Sequence, residues 1–328
     1  MFTSLEICAG GGGQALGLEL AGFNHLGLVE IDQYACMTLR TNRPSWNVIE
    51  GDLRCFSGRG FEGIDLFAGG VPCPPFSVAG AQLGVNDERD LFPDALRLIK
   101  ELKPRSILLE NVKGLFDPKF QLYRNSILEQ LESFGYHAHW NLINASDFGV
   151  PQLRPRTILV GFKKDIFSNF QFPTPNYPKK TVGDSLLDLM SNNSWNNIDN
   201  WYKGAQEIAP TLVGGSKKHG GPDLGPTRAR MAWSKLGIDG SGIANFPPPK
   251  DFQGLPKLTN RMAARIQGFP DSWVFAGGKT AVYRQIGNAF PPPVAHEIGL
   301  AIFKALKLSL KDDSTDNERK EKIPQIAA

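Results

Sequence analysis

A single cysteine flanked by prolines has the clearest chemical potential in this chain. Cys73 lies in segment 69–77, Gly-Gly-Val-Pro-Cys-Pro-Pro-Phe-Ser, directly after the apolar run 64–68. Prolines neither extend a central strand nor fit a helix interior, so the thiol stands on a turn after a buried strand. Open α/β sheets keep their chemistry at that edge. A structural cysteine buried in a proline-rich loop is the alternative.

Polar or glycine-rich segments stand at other predicted strand ends. Glu110-Asn-Val112 follows a second apolar run, and Gln152-Leu-Arg-Pro-Arg156 precedes a third. Gly10-Gly-Gly-Gly-Gln-Ala15 links a strand pattern to a helix pattern, and Glu30 ends the next strand, where an acid would bind ribose hydroxyls. Taken alone, these features also fit an NAD-dependent oxidoreductase or a glycine-rich turn without a ligand.

Strand and helix patterns alternate through the first half of the chain and would position these residues. Strands are predicted over 5–9, 25–30, 106–110 and 157–162, and a helix over 14–21. This alternation predicts an α/β fold with a doubly wound, mostly parallel sheet.

The sequence changes character near residue 164 and becomes rich in Pro, Asn, Gly and Trp. We expect a loop-rich, largely irregular subdomain to about residue 255, with core side chains Trp195, Trp201, Phe246 and Phe252. A helix should begin at the N-cap Thr259, and an amphipathic helix should run over 294–308. The charged, polar residues after it predict a mobile tail.

Charge and composition narrow the function classes. Residues 151–270 hold 16 Lys/Arg against 8 Asp/Glu, whereas residues 1–150 hold 12 against 18, so a polyanion is expected to contact the middle of the chain. No apolar stretch reaches the length of a membrane span, and a strand pattern begins where a signal peptide would lie. The four cysteines show no C-x-x-C spacing, so neither a metal site nor a disulfide framework is expected, and the cell interior is the expected compartment.

In order and spacing, these motifs resemble those of the DNA (cytosine-5)-methyltransferases, in particular the compact bacterial restriction-modification type. The resemblance covers residues 5–162 and 257–299. It implies a Rossmann-like fold that binds S-adenosyl-L-methionine and acts on duplex DNA in the bacterial cytoplasm, at the nucleoid. A cognate restriction endonuclease would act alongside it without a stable complex, and no membrane would be involved.

The resemblance also divides the chain. Residues 1–163 and 280–310 would form the catalytic and cofactor-binding domain, and residues 164–279 a smaller, loop-rich target-recognition domain. Residues 311–328 would form the mobile tail.

The resemblance assigns catalytic roles to four residues. Cys73 matches the nucleophile that attacks carbon 6 of cytosine, and Glu110 the group that hydrogen-bonds ring nitrogen 3 and the exocyclic amine. Arg156 matches the arginine at the base's carbonyl oxygen, and Arg154 the one nearer the backbone phosphates. Because carbons 5 and 6 must be approached from the ring faces, the base would have to be flipped out of the duplex.

The resemblance also implies a cofactor pocket. Glu30 would hold the ribose, Asp52 would accept from the adenine amino group, and Asn288 in Gln285-Ile-Gly-Asn-Ala289 would return to the pocket. Cys8 stands where the family usually has phenylalanine against the adenine, so Ile31 and Leu53 would supply the apolar faces. The implied cofactor-binding residues are Ala9, Gly10, Gly11, Glu30, Ile31, Asp52, Leu53, Pro72, Leu91 and Asn288.

DNA contacts are expected in two places. Residues 74–92 would form a loop that closes over the flipped base, with Ser77 and Arg89 at phosphates or simply in solvent. The glycine-rich segments after residue 213 would contact DNA through Lys217, Lys218, Arg228 and Arg230, at guanine edges or at phosphates.

One position in the last long motif departs from the family pattern. Met262 stands where the family commonly has glutamate, so the capping box begun by Thr259 is expected to lack its second half.

Two other functions are also compatible with the motifs. One is an RNA methyltransferase of the same chemistry, and the other is a catalytically silent DNA-binding protein, although the silent protein would be expected to have lost Cys73 or Glu110.

Overall fold

A seven-stranded sheet brings the predicted motifs to one edge. The computed structural model describes residues 1–72, 90–215 and 221–321. In chain order, the strands are β1 (Phe2–Ile7), β2 (Phe23–Glu30), β3 (Val48–Glu50), β4 (Leu66–Gly70), β5 (Ser106–Val112), β6 (Tyr136–Asn144) and β7 (Pro155–Lys163). Their spatial order is β3-β2-β1-β4-β5-β7-β6.

Strands β1 to β5 pair in parallel, and β7 runs antiparallel to both of its neighbours. The prediction of a mostly parallel, doubly wound sheet is therefore confirmed. The predicted strand 157–162 exists, but its direction is opposite to the one that β-α-β alternation implies. The reason is β6, which was not predicted and is joined to β7 by residues 145–154, a link too short for a parallel crossover.

Ten helices are described in these parts of the chain. They are α1 (Gly13–Leu20), α2 (Gln33–Asn42), α3 (Phe92–Leu102), α4 (Gln121–Ser133), α5 (Val182–Ser191), α6 (Ile198–Gly204), α7 (Thr227–Lys235), α8 (Asn260–Ile266), α9 (Lys279–Asn288) and α10 (Pro292–Glu321). Helices α3 and α4 cover one face of the sheet, and α1 and α10 cover the other.

Side-chain alternation along the strands fills both layers. In β1, Leu5 and Ile7 pack towards α3 and α4, while Phe2 packs towards α1 and α10. Helices α1 and α10 lie in close contact, because a Cβ on Gly17 would be 2.5 Å from the Cβ of Ala295. Burial on both faces explains the near-continuous apolar runs in β4 and β5.

The order of the strands creates a crevice between β1 and β4. From β1 the chain adds β2 and β3 on one side, then crosses back to add β4 and β5 on the other. Ligands bind at the carboxyl ends of strands at such a reversal. Ile7 pairs with Gly69 and Gly70 with Glu110, so the glycine-rich turn, the segment before Cys73 and the Glu110 motif share this edge.

The region after residue 164 is loop-rich, as predicted, but it also contains helices α5, α6 and α7. Trp195 and Trp201 are buried, as expected, whereas Phe246 is 78% exposed, so its predicted place in the core is wrong. Phe246 precedes Pro247–Pro249, which lack the backbone donors that would tie this segment to the core. The same apolar cluster includes Val282 of α9, so the proposed boundary at 279/280 crosses a continuous core.

Helix α8 has Thr259 as its N-cap, as predicted, and its capping box is complete. The Met262 amide donates to Thr259 Oγ1 at 3.2 Å, and the Thr259 amide donates to Met262 Sδ at 3.4 Å. The expectation that Met262 leaves the box half formed is therefore wrong. A thioether sulfur is a weak acceptor, and it takes the place of the usual carboxylate.

The C-terminal helix is longer than predicted. α10 begins at Pro292 and continues to Glu321, past the expected end at Leu308. Its buried residues as far as Leu306 pack on the sheet, and a helix started by such packing extends readily into polar sequence. The first part of the expected tail is therefore helical, and residues 322–328 lie outside the described residues.

Candidate active site

The glycine-rich turn between β1 and α1 has one side open. A Cβ on Gly10 would meet no atom within 4 Å, whereas one on Gly12 would lie 2.7 Å from Trp273 and one on Gly13 only 2.2 Å from the Phe290 carbonyl oxygen. Protein packing therefore explains the glycines at 12 and 13. Only at Gly10, with φ of 54°, does the turn face free space that a ligand could occupy.

The same turn is held from its other side by the segment after α8. A Cβ on Gly11 would lie 3.1 Å from Phe275 and 3.2 Å from Gln285, and the Trp273 indole donates to the Gly11 carbonyl at 3.0 Å. The last long sequence motif therefore fixes the turn in place.

Glu30 is oriented by three backbone amides. Gly10 donates to Oε2 at 2.7 Å, while Ile31 and Asp32 donate to Oε1 at 2.9 and 2.7 Å. Burial raises the pKa of Glu30 from its usual value, and these amides oppose that shift. A carboxylate fixed beside the open face of Gly10 still has one lone pair, on Oε2, for a hydroxyl donor.

Asp52 lies at the start of a short 3-10 helix, Leu53–Cys55, near the end of β3. Its carboxylate accepts from the Arg54 amide and pairs with the Arg54 guanidinium at 2.5 Å, which lowers the pKa of Asp52. Arg97 of α3 donates to the Leu53 carbonyl at 3.1 Å and so fixes this helix to the layer beneath. An adenine amino group would share Asp52 with Arg54.

The apolar candidates for the cofactor pocket differ in exposure. Ile31 is 63% exposed, whereas Leu53 and Ala9 are buried. Cys8 has φ of 52°, a region costly for any residue except glycine, and burial and the nearby Glu30 charge raise the pKa of its thiol. Cys8 therefore puts a small, neutral side chain at the position where the family usually has an aromatic ring.

Two other cofactor candidates border the undescribed stretch 73–89. Pro72 is exposed and is the last described residue before it, and Leu91 is half-buried at the start of α3, against the cluster that contains Leu53.

Glu110 and Arg156 form a buried ion pair at the carboxyl end of β5. Arg156 Nε lies 2.7 Å from Glu110 Oε1, and the two side chains are 11% and 10% exposed. In the antiparallel β5/β7 pair, Arg156 is opposite Val112 and Glu110 opposite Ile158, so the two lie diagonally on one face. Burial raises the pKa of Glu110, and the Arg156 charge opposes that shift.

Asn111 was overlooked as a functional residue, although it stands inside the Glu110 motif. Its Nδ2 donates to the Val71 carbonyl at 3.1 Å, and its Oδ1 accepts from the Val112 amide at 2.7 Å. The buried amide therefore ties the end of β5 to the segment that leads into Cys73. Its position directly after a predicted catalytic acid is the sequence signal that could have identified it.

Arg154 does not occupy the predicted position near phosphates. It is fully buried and donates to the carbonyls of Leu212, Gly287 and Ala289 at 2.7 to 3.0 Å. A guanidinium with no solvent exposure and three backbone acceptors has no access to DNA. The structure therefore corrects the prediction: Arg154 joins β7 to the segment before residue 215 and to the end of α9.

Asn288 lies at the exposed end of α9, beside that same segment. Its Nδ2 donates to the Gly215 carbonyl at 3.3 Å. Gly214 and Gly287 are in such close contact that a Cβ on Gly287 would lie 2.5 Å from the Gly214 backbone nitrogen and Cα. We call this contact the glycine joint; it connects the candidate recognition region to the candidate cofactor pocket.

The candidate DNA contacts are only partly described. Arg228, which is exposed, and Arg230, which is half-buried, both lie on α7. The remaining predicted site residues lie outside the described residues: Cys73, Ser77, Arg89, Lys217 and Lys218.

Comparison with known proteins identifies the family. The family described as C-5 cytosine-specific DNA methylase matches residues 2–304. The chain belongs to this family. It is also 57% identical over 310 residues to the type II methyltransferase M.NgoMIV of Neisseria gonorrhoeae, covering 93% of this chain and 98% of the relative. The type II methyltransferase M.NaeI of Lentzea aerocolonigenes is 54% identical over 310 residues, 93% of this chain and 75% of its own.

Solved structures agree with the fold. A prophage-encoded DNA modification methyltransferase of E. coli has a TM-score of 0.67 at 25% identity, covering 94% of this chain and all of that one. Spodoptera frugiperda DNMT2, at 17% identity and a TM-score of 0.63, covers 92% of this chain and all of its own and supports the fold alone. In the described parts of this methyltransferase, no helix is long and apolar enough to cross a membrane.

The methyltransferase is therefore a DNA (cytosine-5)-methyltransferase of the restriction-modification type. The predicted family, enzyme class and substrate are confirmed, and the nicotinamide oxidoreductase alternative is wrong. Membership in the family implies a methyl donor, for which the edge between Gly10, Glu30 and Glu110 is the candidate site.

Proposed function

We propose that this methyltransferase uses S-adenosyl-L-methionine to methylate carbon 5 of a cytosine flipped out of a specific duplex DNA sequence, through a covalent bond between Cys73 and carbon 6. The observation that carries the proposal is the buried Glu110–Arg156 pair beside the strand that leads to Cys73. An acid and a cation at this edge would stabilise the charge that develops on a bound cytosine ring.

The thiol is needed because carbon 5 of cytosine is a weak nucleophile. Addition of the Cys73 thiolate to carbon 6 gives carbon 5 the electron pair that takes up the methyl group. A proton then leaves carbon 5, and the same electrons expel the thiolate and restore the aromatic ring. The thiolate is regenerated, so the enzyme turns over.

Glu110 and Arg156 would stabilise the ring during the attack. Glu110 would share a proton with ring nitrogen 3 while its other oxygen accepts from the exocyclic amine, and the raised pKa that burial gives Glu110 is the direction that suits this role. Arg156 would donate to the ring carbonyl. Asn111 would act as a positioning residue, because it holds the Val71 carbonyl just before the nucleophile.

The residues at the crevice fit S-adenosyl-L-methionine. Gly10 faces open space, Glu30 is oriented beside it, and the exposed Ile31 offers an apolar face. The cofactor supplies the methyl group as an electrophile. The residues that would hold it are Ala9, Gly10, Gly11, Glu30, Ile31, Asp52, Leu53, Pro72, Leu91 and Asn288.

The DNA substrate requires two further features. A cytosine within the stack exposes neither ring face, so base flipping is part of the proposal, with Ser77 and Arg89 near the flipped nucleotide. Residues 164–279 would recognise the sequence, with Lys217, Lys218, Arg228 and Arg230 as contacts. We propose that the enzyme works on nucleoid DNA in the bacterial cytoplasm, alongside a restriction endonuclease that it does not bind stably.

The decisive experiment uses a duplex with 5-fluorocytosine at the target. The wild type should form a complex that survives denaturation, because fluorine replaces the proton that must leave carbon 5, and peptide mapping should locate the bond at Cys73. Cys73→Ala should form no adduct and transfer no methyl groups while still binding cofactor and DNA. Appreciable methyl transfer by Cys73→Ala would exclude the mechanism.

The cofactor assignment has its own test. Glu30→Ala should weaken S-adenosyl-L-methionine binding by about 1–3 kcal/mol, the scale of hydrogen bonds to a charged acceptor. Calorimetry measures this directly. An unchanged affinity would remove Glu30 from the site.

A further inference from the structure

One helix of the candidate recognition region carries basic side chains and an exposed methionine on a single face. Arg228, Met231 and Lys235 of α7 are exposed, with Met231 at 61%, and their spacing of three and four residues places them along one stripe. Trp233 is fully buried and fixes the opposite side of the helix. α7 is therefore anchored in the core with its basic stripe towards solvent.

The glycine joint places the start of α7 near the candidate active site. A Cβ on Gly225, two residues before the helix, would lie 3.5 Å from Val213 Cγ2. Val213 immediately precedes Gly214, which contacts Asn288 at the end of α9. Two close approaches thus link the residues just before α7 to Asn288, a candidate cofactor residue.

Arg230 projects from a different side of α7, between the stripe and the buried Trp233, and is held in a defined position there. A Cβ on Gly240 would lie 3.0 Å from Arg230 Cγ, so the aliphatic stem of the arginine rests directly on this glycine. The Gly240 carbonyl accepts from the Leu224 amide at 3.0 Å, which fixes the turn. An arginine whose stem is held in this way loses less conformational freedom on binding.

No acidic side chain among the described residues pairs with the basic residues of α7. The helix contains no acidic residue, and within the described ranges Arg228, Arg230 and Lys235 form no ion pair. The nearby Asp239 is paired with Lys257 at 3.6 Å. An open cleft beside the helix, lined by Arg230, Met231 and Leu255, combines this charge with apolar surface. Charge complementarity therefore favours duplex DNA as the occupant.

We propose that α7 is the helix that reads the target sequence, with Arg228 and Met231 at base edges in the major groove and Arg230 at a backbone phosphate. The major groove of B-DNA admits an α-helix. Arginine pairs with the two acceptors of guanine, and an apolar side chain contacts the carbon-5 edge of a pyrimidine. This inference rests on the proposed function and names the side chains that determine specificity.

The test replaces single side chains on the stripe and sequences the methylated products. Arg228→Ala and Met231→Ala should each reduce discrimination at one position of the target by about 5- to 150-fold, the range for losing a good base contact. Cofactor affinity and thermal stability should be unchanged. Matched controls are Met37→Ala on α2 and Arg59→Ala in the loop after β3, both exposed and outside the proposed contacts.

Arg230 should behave differently. Arg230→Ala should weaken binding to all duplexes alike and reduce the salt dependence by about one unit of slope. Gly240→Ala should reproduce part of that loss without removing the guanidinium, because its methyl group displaces the arginine stem. Gly204→Ala is the matched glycine control, since a Cβ there meets nothing within 4 Å.

The results separate this inference from the proposed function. If the wild type transfers no methyl groups to any duplex, the proposed function fails. The inference fails if the wild type methylates a defined sequence and Arg228→Ala and Met231→Ala keep its full selectivity. It also fails if these variants weaken binding to all duplexes equally, because α7 would then not read the sequence.

Discussion

Two buried carboxyl groups show how location determines the behaviour of the same residue type. Glu110 and Glu6 are both almost fully buried, and burial raises the pKa of each. Glu110 has a cationic partner at 2.7 Å and lies at the site edge of the sheet. Glu6 lies within β1, and its Oε2 atom has no hydrogen-bond partner among the described residues. The first is suited to chemistry, whereas the second affects stability.

Replacement of Glu110 should therefore change the rate. Glu110→Gln keeps the shape of the side chain, and its amide can still donate and accept at the cytosine edge, but it has no carboxyl proton to share with ring nitrogen 3. We expect kcat to fall by about 10²- to 10⁴-fold, the range for a positioned group that shares a proton with the substrate. Cofactor affinity should remain within about twofold. Single-turnover methyl transfer measures the effect, with Glu132→Gln on the exposed face of α4 as the control. Loss of binding without loss of rate would contradict the assigned role.

Replacement of Glu6 should change the pH dependence of stability instead. Because its folded pKa is raised, the unfolded chain releases the Glu6 proton at a lower pH than the folded protein does. Wild-type stability should thus fall, relative to Glu6→Gln, as pH rises from the ordinary carboxyl pKa through the raised one. Melting temperatures at several pH values measure this, with the exposed Glu129→Gln as control. A constant difference between wild type and Glu6→Gln would refute the prediction.

At the scale of elements, the unusual contacts lie where two elements meet rather than within a helix or a strand. The glycine joint brings the segment before residue 215 against the end of α9, and Arg154 hydrogen-bonds both sides of it. At the start of α8, a methionine completes the capping box. Both junctions set the position of the candidate recognition region relative to the sheet.

A methyl group in the glycine joint should be destabilising. In Gly287→Ala the new Cβ would lie 2.5 Å from backbone atoms of Gly214, which cannot move as a flexible side chain can. We expect a loss of about 1–3 kcal/mol in the free energy of unfolding, typical of overpacking. Urea denaturation of Gly287→Ala and of the control Gly204→Ala checks this. Equal stability of the two would show that the joint has more room than its distances indicate.

The stability that the Met262 sulfur contributes as a hydrogen-bond acceptor should be measurable by comparison with a matched methionine. Met262→Leu keeps apolar volume but leaves the Thr259 amide without its acceptor, so it should cost about 0.5–1.5 kcal/mol more than Met190→Leu. Met190 is equally buried in the same cluster. Thermal or urea unfolding of both variants provides the comparison. An equal cost would mean that the sulfur contributes volume alone.

Local patterns predicted some of these elements and not others. The end of β2, the start of β5 and the N-cap Thr259 were predictable because apolar runs and capping residues are local signals. The direction of β7 was not, since a strand pattern reads the same both ways. Strand β6 mixes His and Asn with apolar residues and is half-buried or exposed after Tyr136, so it gave no continuous apolar signal. The role of Arg154 was not predictable either, because an arginine near a strand gives no sign that three distant carbonyls will surround it.

At the scale of the molecule, the proposed division of labour allows the recognition region to be exchanged. Replacing residues 164–255 with the counterpart from M.NgoMIV should keep methyl transfer, because the Glu110–Arg156 pair and the Gly10 turn lie outside the segment. If the two enzymes methylate different sequences, the product should follow the donor of the segment. Sequencing DNA from a methylation-free host measures this, and retention of the original target would move recognition elsewhere in the chain.

The contact between α1 and α10 also has a consequence for synthesis on the ribosome. Gly17 of the first helix and Ala21 directly after it pack against Ala295 and Gly299 of the last helix, about 280 residues later in the chain. At a translation rate of about 5–20 residues per second, some 15–55 s pass between the synthesis of the first strand and helix and that of α10. That face of β1 is fully covered only after α10 has been translated, because α1 and α10 cover it together. A nascent chain stalled before Pro292 should therefore expose apolar surface to chaperones, and DNA modification should begin only after translation has passed this helix.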